Sequence, residues 1–199
     1  MASAYVVGLD LGQSQDYTAL VVCEYFRPDG DTLQHYHLRH LERVPLGTSY
    51  PVIVSRVQTI LAAEALQQRC TLVVDATGVG QAVVDMLRQA GMYPKAVYIH
   101  GGDRVHAYGN TCYNVPKRDL VGVLQVLLHS RRLEFAAEHP MTPVLMQELA
   151  NFKVTIDPRT AHDSYAAWRE GVHDDLVLAT ALACWWGERS NTHRAVAGK

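Results

Sequence analysis

The sequence predicts an α/β fold in which a mixed β-sheet, an antiparallel meander followed by parallel strands, is flanked by helices. Three observations favour this class. Runs of aliphatic and β-branched residues with short links open the chain, helical patterns then alternate with further strand-like runs, and a long apolar helix follows. At 199 residues the chain is long enough for one well-buried domain and short for two, and we place that domain at residues 1–189.

Three strands with short links form the predicted meander. The apolar runs that indicate them occupy residues 4–10, 17–26 and 32–44. Asp29-Gly30-Asp31 is typical of the turn between the second and third strands. Because consecutive strands joined by short links pair with their neighbours, we expect an antiparallel arrangement.

Helices and strands alternate after the meander. Ser49-Tyr50-Pro51 begins a helix that spans 52–68, because proline suits the first turn and apolar residues recur at helical spacing. The elements that follow are a strand at 71–75, a helix at 81–90 that ends at Gly91, and a strand at 95–99. This order predicts parallel strands, with the 71–75 strand beside the first strand.

The second half of the chain is more polar. Residues 100–115 are rich in Gly, His, Asn and Tyr without periodicity, which predicts a mobile loop. Pro116-Lys117-Arg118-Asp119 begins a helix that runs to about His129. The remaining predicted elements are an edge strand at 132–135, a helix at 140–151, hairpin strands at 152–156 and 164–168, a helix that begins at Asp174-Asp175, and a disordered tail at 190–199.

Composition excludes several classes of protein. The net charge of -2 and the 48% apolar content describe a soluble globular protein without the strong positive charge of many DNA-binding proteins. The four cysteines form no C-x-x-C pair, which argues against a zinc site and favours a reducing, cytosolic setting. No apolar run reaches the roughly 20 residues of a membrane span, and no export signal opens the chain.

Acidic residues stand at three element ends. Asp10 closes the first strand, Asp75 closes the 71–75 strand, and the pair Asp174-Asp175 opens the last helix. Carboxylates that converge from different elements can hold two divalent cations for phosphodiester hydrolysis, and hard oxygen ligands select Mg²⁺ or Mn²⁺. Taken singly, Asp10 or Asp75 is more typical of a turn or cap residue than of a metal ligand, and Asp174 is as typical of a helix N-cap as of a ligand. Together they predict a two-metal site in which Asp175 is favoured over Asp174 and His173 is an outer-shell partner.

Four basic or aromatic side chains are candidates for contact with DNA. Lys117 and Arg118 lie at a predicted helix start, and Arg104 and His106 lie in the predicted loop. Such side chains can meet the phosphate backbone, and mobile loops often close over a substrate. The hairpin around residues 157–159 is a candidate gate for the site.

Four phrases resemble motifs of the nuclease domain of phage large terminases, in the same order. They are Gly8-Leu9-Asp10-Leu11-Gly12 with Asp16-Tyr17-Thr18-Ala19-Leu20 behind it, Asp75-Ala76-Thr77-Gly78-Val79-Gly80, Val115-Pro116-Lys117, and Gly171-Val172-His173-Asp174-Asp175-Leu176-Val177-Leu178-Ala179. The resemblance covers nearly the whole chain. It implies a ribonuclease H-like fold of the resolvase type.

The resemblance also implies a function. Terminases of this kind cut concatemeric double-stranded viral DNA by two-metal catalysis, with Asp10, Asp75 and one or both of Asp174 and Asp175 as ligands. It further implies an ATPase motor, a small terminase subunit and a portal as partners, in the cytoplasm of a bacterial host. The sequence contains no G-x-x-x-x-G-K-[ST] motif, so these residues do not form a motor of that type. They fit either one domain of a longer protein or a free-standing relative.

Three other functions stay open. A Holliday junction resolvase would share the fold and the acidic cluster. An actin-like or sugar-kinase-like ATP-binding half is suggested by residues 8–12 and 75–80, although 199 residues leave no room for the second domain of such a protein. A catalytically silent module that docks on DNA or on a portal ring would not need all three acidic positions.

Overall fold

The structure is a computed structural model that describes residues 3–12, 16–151 and 173–197. Within these residues the strands are β1 (Ala4–Asp10), β2 (Thr18–Phe26), β3 (His35–Val44), β4 (Cys70–Asp75), β5 (Lys95–His100), β6 (His106–Tyr108), β7 (Cys112–Pro116) and β8 (Leu133–Phe135). The α-helices are α1 (Tyr50–Leu61), α2 (Gly80–Gln89), α3 (Lys117–His129), α4 (Thr142–Asn151) and α5 (Asp175–Ala197), and a 3₁₀-helix spans Glu64–Leu66.

The strands form a mixed sheet in the order β6-β7-β5-β4-β1-β2-β3-β8. The antiparallel meander β1-β2-β3 lies beside the parallel set β1, β4, β5 and β7. β1 is central, with β4 as its parallel neighbour, as the sequence predicts. The predicted fold class is therefore confirmed.

Helices cover both faces of the sheet. α1 and α2 pack on one face, and α3, α4 and α5 pack on the other. Successive side chains of a strand point to opposite faces. In β1, Val7 and Leu9 belong to the α1 and α2 face, whereas Val6 belongs to the α5 face. Gly8 and Asp10 share the face of Val6, so both are directed toward α5.

α5 lies directly against β1 at Gly8. A Cβ at this position would be inside the van der Waals radius of the Ala179 carbonyl oxygen, 3.0 Å from the Ala179 carbonyl carbon and 3.3 Å from the Cβ of Ala183. A side chain at residue 8 would therefore push the helix away from the sheet. Glycine at this position permits the close approach.

The direction of α5 follows from its second half. A Cβ at Gly187 would lie 2.9 Å from the hydroxyl oxygen of Tyr36 in β3. Tyr36 is in register with Tyr25, which is in register with Ala4 at the start of β1. The end of α5 therefore lies near the start of β1, and its first turn lies near Asp10.

The prediction of a mobile loop at residues 100–115 is wrong. β6 and β7 form a hairpin there around Gly109, whose φ of +64° suits glycine. β7 also pairs in parallel with β5, and its Tyr113 and Val115 are buried. Its polar residues and short length conceal the alternation in the sequence, and β5 supplies the pairing that forms the strand.

Smaller differences concern element ends. α1 ends at Leu61 rather than at residue 68, and Gln68 has a φ of +59°, which a right-handed helix does not adopt. α5 continues to Ala197, past the predicted start of the tail at Ser190, because no Gly or Pro interrupts residues 190–197. The predicted hairpin strands at 152–156 and 164–168 lie outside the described residues. Where the structure describes the chain, no helix combines the length and apolar character that a bilayer crossing requires.

Candidate metal centre

Asp10 and Asp75 end neighbouring parallel strands at one edge of the sheet. Leu9 in β1 is in register with Val74 in β4, so the two aspartates follow at the next position of each strand. Val73 belongs to the core on the α5 face, and Asp75 shares that face by alternation. Adjacent strands are about 4.8 Å apart, so the two aspartates occupy neighbouring positions at this edge. Asp10 is 8% exposed and Asp75 is 6% exposed.

Asp175 reaches the same edge from α5. It is the first residue of the helix and lies one turn before Ala179, which stands over Gly8. Asp175 is only 2% exposed, and within the described residues its Oδ2 makes no hydrogen bond. Burial raises its pKa to about 6, against the opposing effect of Arg43. A buried carboxylate oxygen that accepts no hydrogen bond from the described residues fits a cation site.

Asp174 is directed differently from Asp175. Its Oδ2 lies 3.5 Å from the Nζ of Lys117, and its carbonyl oxygen accepts a hydrogen bond of 2.9 Å from Leu178 N–H. Asp174 therefore caps α5. Lys117 is 7% exposed, and its predicted contact with DNA stays a prediction.

Arg43 and Glu148 are charged residues of this region that sequence reasoning missed. Asp10 is in register with Ala19 and Ala19 with Arg43, so Arg43 stands two strands away in the same row. Its guanidinium donates a hydrogen bond to Glu148 in α4 and lies 3.6 Å from the Oδ2 of Asp175. Arg43 also lies over the ring of Tyr17, 4.8 Å from the ring centre.

Glu148 is 4% exposed. Burial raises its pKa to about 7, although the hydrogen bond from Val177 N–H opposes this effect. The signal in the sequence is a glutamate three residues after Leu145, on the apolar side of a helical pattern. That pattern alone does not identify its partners.

A second group of potential metal ligands includes Asp175. Ligand atoms of Asp16, His173 and Asp175 all lie within 4.8 Å of one another. Asp10 and Asp75 are not members of this group. His173 is exposed, with its Nδ1 3.8 Å from the Oδ2 of Asp175, and its role as an outer-shell partner stays a prediction. Sequence reasoning did not assign Asp16, whose signal is an acid in the short link between β1 and β2.

The other basic candidates lie farther along the sheet edge. Arg118 donates two hydrogen bonds of 2.7 Å to Asp103, one to the carboxylate and one to the carbonyl oxygen, so it ties the segment after β5 to the start of α3. Arg104 and His106 are exposed, and His106 belongs to β6 rather than to a loop. Contact of these residues with DNA stays a prediction.

The chemistry of the site fits hard divalent cations. Several buried carboxylates face one edge, and a buried acceptor without a hydrogen bond costs about 1–3 kcal/mol. A cation between the carboxylates removes that cost and the repulsion between like charges.

Comparison with known proteins gives the family. A sequence model described as the terminase RNaseH-like domain matches residues 7–184, which include all the predicted acidic positions. The chain belongs to this family. None of the curated proteins matches this terminase RNaseH-like domain.

Three solved structures are similar to this terminase RNaseH-like domain. The large terminase nuclease from thermophilic phage G20c with bound magnesium has 22% identity and a TM-score of 0.62, over 92% of this chain and 80% of that one. The human cytomegalovirus terminase nuclease domain, Mn soaked, has 13% identity and a TM-score of 0.56, over 92% and 83%. The bacteriophage SPP1 large terminase nuclease domain with bound Mn has 14% identity and a TM-score of 0.52, over 96% and 87%.

These findings confirm the predicted resemblance to terminase nuclease domains and the ribonuclease H-like fold. The protein is therefore a terminase nuclease domain with a role in genome packaging.

Proposed function

We propose that this terminase RNaseH-like domain is a metal-dependent endodeoxyribonuclease that cuts concatemeric double-stranded viral DNA during packaging. The observation that carries the proposal is the convergence of Asp10, Asp75 and Asp175 from three elements at one edge of the sheet. The family assignment supports DNA as the substrate and favours a nuclease over an ATP-binding half.

Asp10, Asp75 and Asp175 would hold two divalent cations, Mg²⁺ or Mn²⁺. The buried Oδ2 of Asp175 supports this assignment, because it accepts no hydrogen bond from the described residues. The terminase nucleases of G20c and SPP1, which were solved with bound magnesium and Mn, also support it. Asp174 remains a candidate at the margin of the site. Bound cations would supply Lewis acidity toward the phosphodiester and the attacking water.

The side chains themselves orient the site and attract the substrate. Thr77 N–H donates a hydrogen bond of 2.8 Å to the Oδ1 of Asp75 and thereby fixes that carboxylate. His173 is exposed, and its Nδ1 lies 3.8 Å from the Oδ2 of Asp175, so it would act as an outer-shell partner of that carboxylate. Arg104 and His106 project from the same end of the sheet and would meet the phosphate backbone.

The family also supports the partners of such a nuclease. We propose that its partners are an ATPase motor, a small terminase subunit and a portal. We further propose that it acts in the cytoplasm of a bacterial host. Residues 1–189 would act as one nuclease domain within that assembly.

Cleavage of supercoiled plasmid by purified protein tests the proposal. Reactions contain Mn²⁺, Mg²⁺ or chelator, and wild type is compared with Asp75→Asn, which keeps the oxygen that accepts from Thr77 N–H. Asp85→Asn, at an exposed aspartate of α2, is the matched control. We expect metal-dependent nicking and linearisation by wild type and control, and loss of both in Asp75→Asn.

Other results would contradict the proposal. Undiminished cutting by Asp75→Asn would exclude Asp75 from the site. Faster cutting of four-way junctions than of linear duplex would favour a resolvase, and absence of cutting with either metal would favour a silent module.

A further inference from the structure

Glu148 links two elements through its two carboxylate oxygens. Its Oε2 accepts a hydrogen bond of 2.9 Å from the backbone N–H of Val177, and its Oε1 accepts one from the guanidinium of Arg43. Val177 lies in the first turn of α5, where backbone N–H groups have no partner within the helix. Glu148 therefore caps the helix that carries Asp175 and binds Arg43 at the same time.

Arg43 stands between two buried carboxylates and bonds to only one of them. Its guanidinium is bonded to Glu148, whereas its distance of 3.6 Å to the Oδ2 of Asp175 is longer than a hydrogen bond. That oxygen is buried and accepts no hydrogen bond from any described residue. A charge-assisted hydrogen bond is roughly twice as strong as a neutral one. Arg43 makes such a bond to Glu148 and lies only within ion-pair distance of Asp175, so the two carboxylates compete for its guanidinium.

We propose that Glu148 is a positioning residue of the metal centre that withholds Arg43 from Asp175. It also fixes the first turn of α5, so the Oδ2 of Asp175 stays available to a divalent cation. This inference rests on the proposed function, in which Asp175 is a metal ligand. Arg43 and the cation are then competitors for the same oxygen.

Glu148→Gln tests this competition. The amide oxygen can still accept from Val177 N–H, but the charge that holds Arg43 is lost. Arg43 then pairs with Asp175, and the affinity for Mn²⁺ falls by about 10- to 100-fold. In the double variant Arg43→Met/Glu148→Gln the competing guanidinium is absent, and the affinity for Mn²⁺ returns to within about twofold of wild type. A merely structural role of the pair predicts the opposite, because the second substitution would then add to the loss.

Calorimetric titration with Mn²⁺ measures the affinity of each variant. The metal dependence of plasmid cleavage gives a second readout: the half-saturating Mn²⁺ concentration should rise in Glu148→Gln while the maximal rate changes little. Glu188→Gln is the matched control. Glu188 lies on α5, as Asp175 does, but far from the acidic edge, and it accepts a hydrogen bond of 2.9 Å from Arg132. Circular dichroism and thermal unfolding in chelator monitor folding.

Each outcome decides the inference. Equal Mn²⁺ affinity in Glu148→Gln and wild type, or no recovery in the double variant, would overturn it while the proposed function stands. If wild type binds no Mn²⁺, both are overturned. If Glu148→Gln does not fold, Arg43→Met alone decides: we expect Mn²⁺ affinity equal to or above that of wild type, and a lower affinity would overturn the inference.

Discussion

Gly8 lies directly under α5, and Gly8→Ala tests whether this contact positions the acidic cluster. The new Cβ would overlap the carbonyl oxygen of Ala179 and lie 3.0 Å from its carbonyl carbon and 3.3 Å from the Cβ of Ala183. The oxygen belongs to the backbone of a buried helix, so it cannot rotate away as a flexible side chain would. α5 must therefore move off the sheet.

The structure gives the size of the effect. Ordinary contacts between carbon and a carbonyl oxygen are about 3.3–3.6 Å long, so the two groups must separate by more than about 1 Å. Overpacking of a core costs about 1–3 kcal/mol, and a clash with backbone belongs at the upper end of that range. For a domain of this size 1 kcal/mol lowers Tm by about 2–4 °C, so we expect a decrease of about 6–12 °C.

Scanning calorimetry in chelator measures the decrease in Tm. Titration with Mn²⁺ measures the effect on the site, because Asp175 lies one turn before Ala179 and moves with it. Gly122→Ala in α3 is the matched control: its Cβ would meet nothing within 4 Å, and alanine should stabilise the helix by about 1 kcal/mol. A Gly8→Ala variant that melts within about 2 °C of wild type and binds Mn²⁺ equally would refute the reasoning.

Two further predictions concern groups outside the acidic cluster. Burial opposes ionisation of Glu42, but hydrogen bonds from Arg56 and His40 outweigh it and lower its pKa below the usual 4.5. The stability that results is present above the unfolded-state pKa and is lost as pH falls through the folded-state pKa. In urea unfolding, Glu42→Gln should therefore lower the free energy of unfolding by about 0.5 kcal/mol at neutral pH and by progressively less in acid. A loss that does not depend on pH would contradict this prediction. Burial raises the pKa of the Cys70 thiol to about 12, from a usual value of 9.0. Alkylation of Cys70 at about pH 8, followed by mass spectrometry, should therefore be much slower than that of free cysteine, and a comparable rate would contradict the raised pKa.

The sequence by itself determined which elements carry the acidic residues. Asp10 and Asp75 close runs of aliphatic residues that only a buried strand explains, and Asp175 opens an apolar run with helical character. These are local patterns, and alternation along a strand or helix is a property of adjacent residues. The order of elements also predicted that β4 lies beside β1, because a helical crossover joins parallel strands.

The tertiary structure alone decided which other groups reach that edge. Arg43 joins the row of Asp10 only because β1, β2 and β3 pair in one register, and Glu148 reaches Asp175 only because α4 packs against the first turn of α5. Likewise, β7 is held in the sheet by its pairing with β5 and with β6. Such contacts depend on register and packing between residues far apart in the chain, and the periodicity of a single segment contains no information about them.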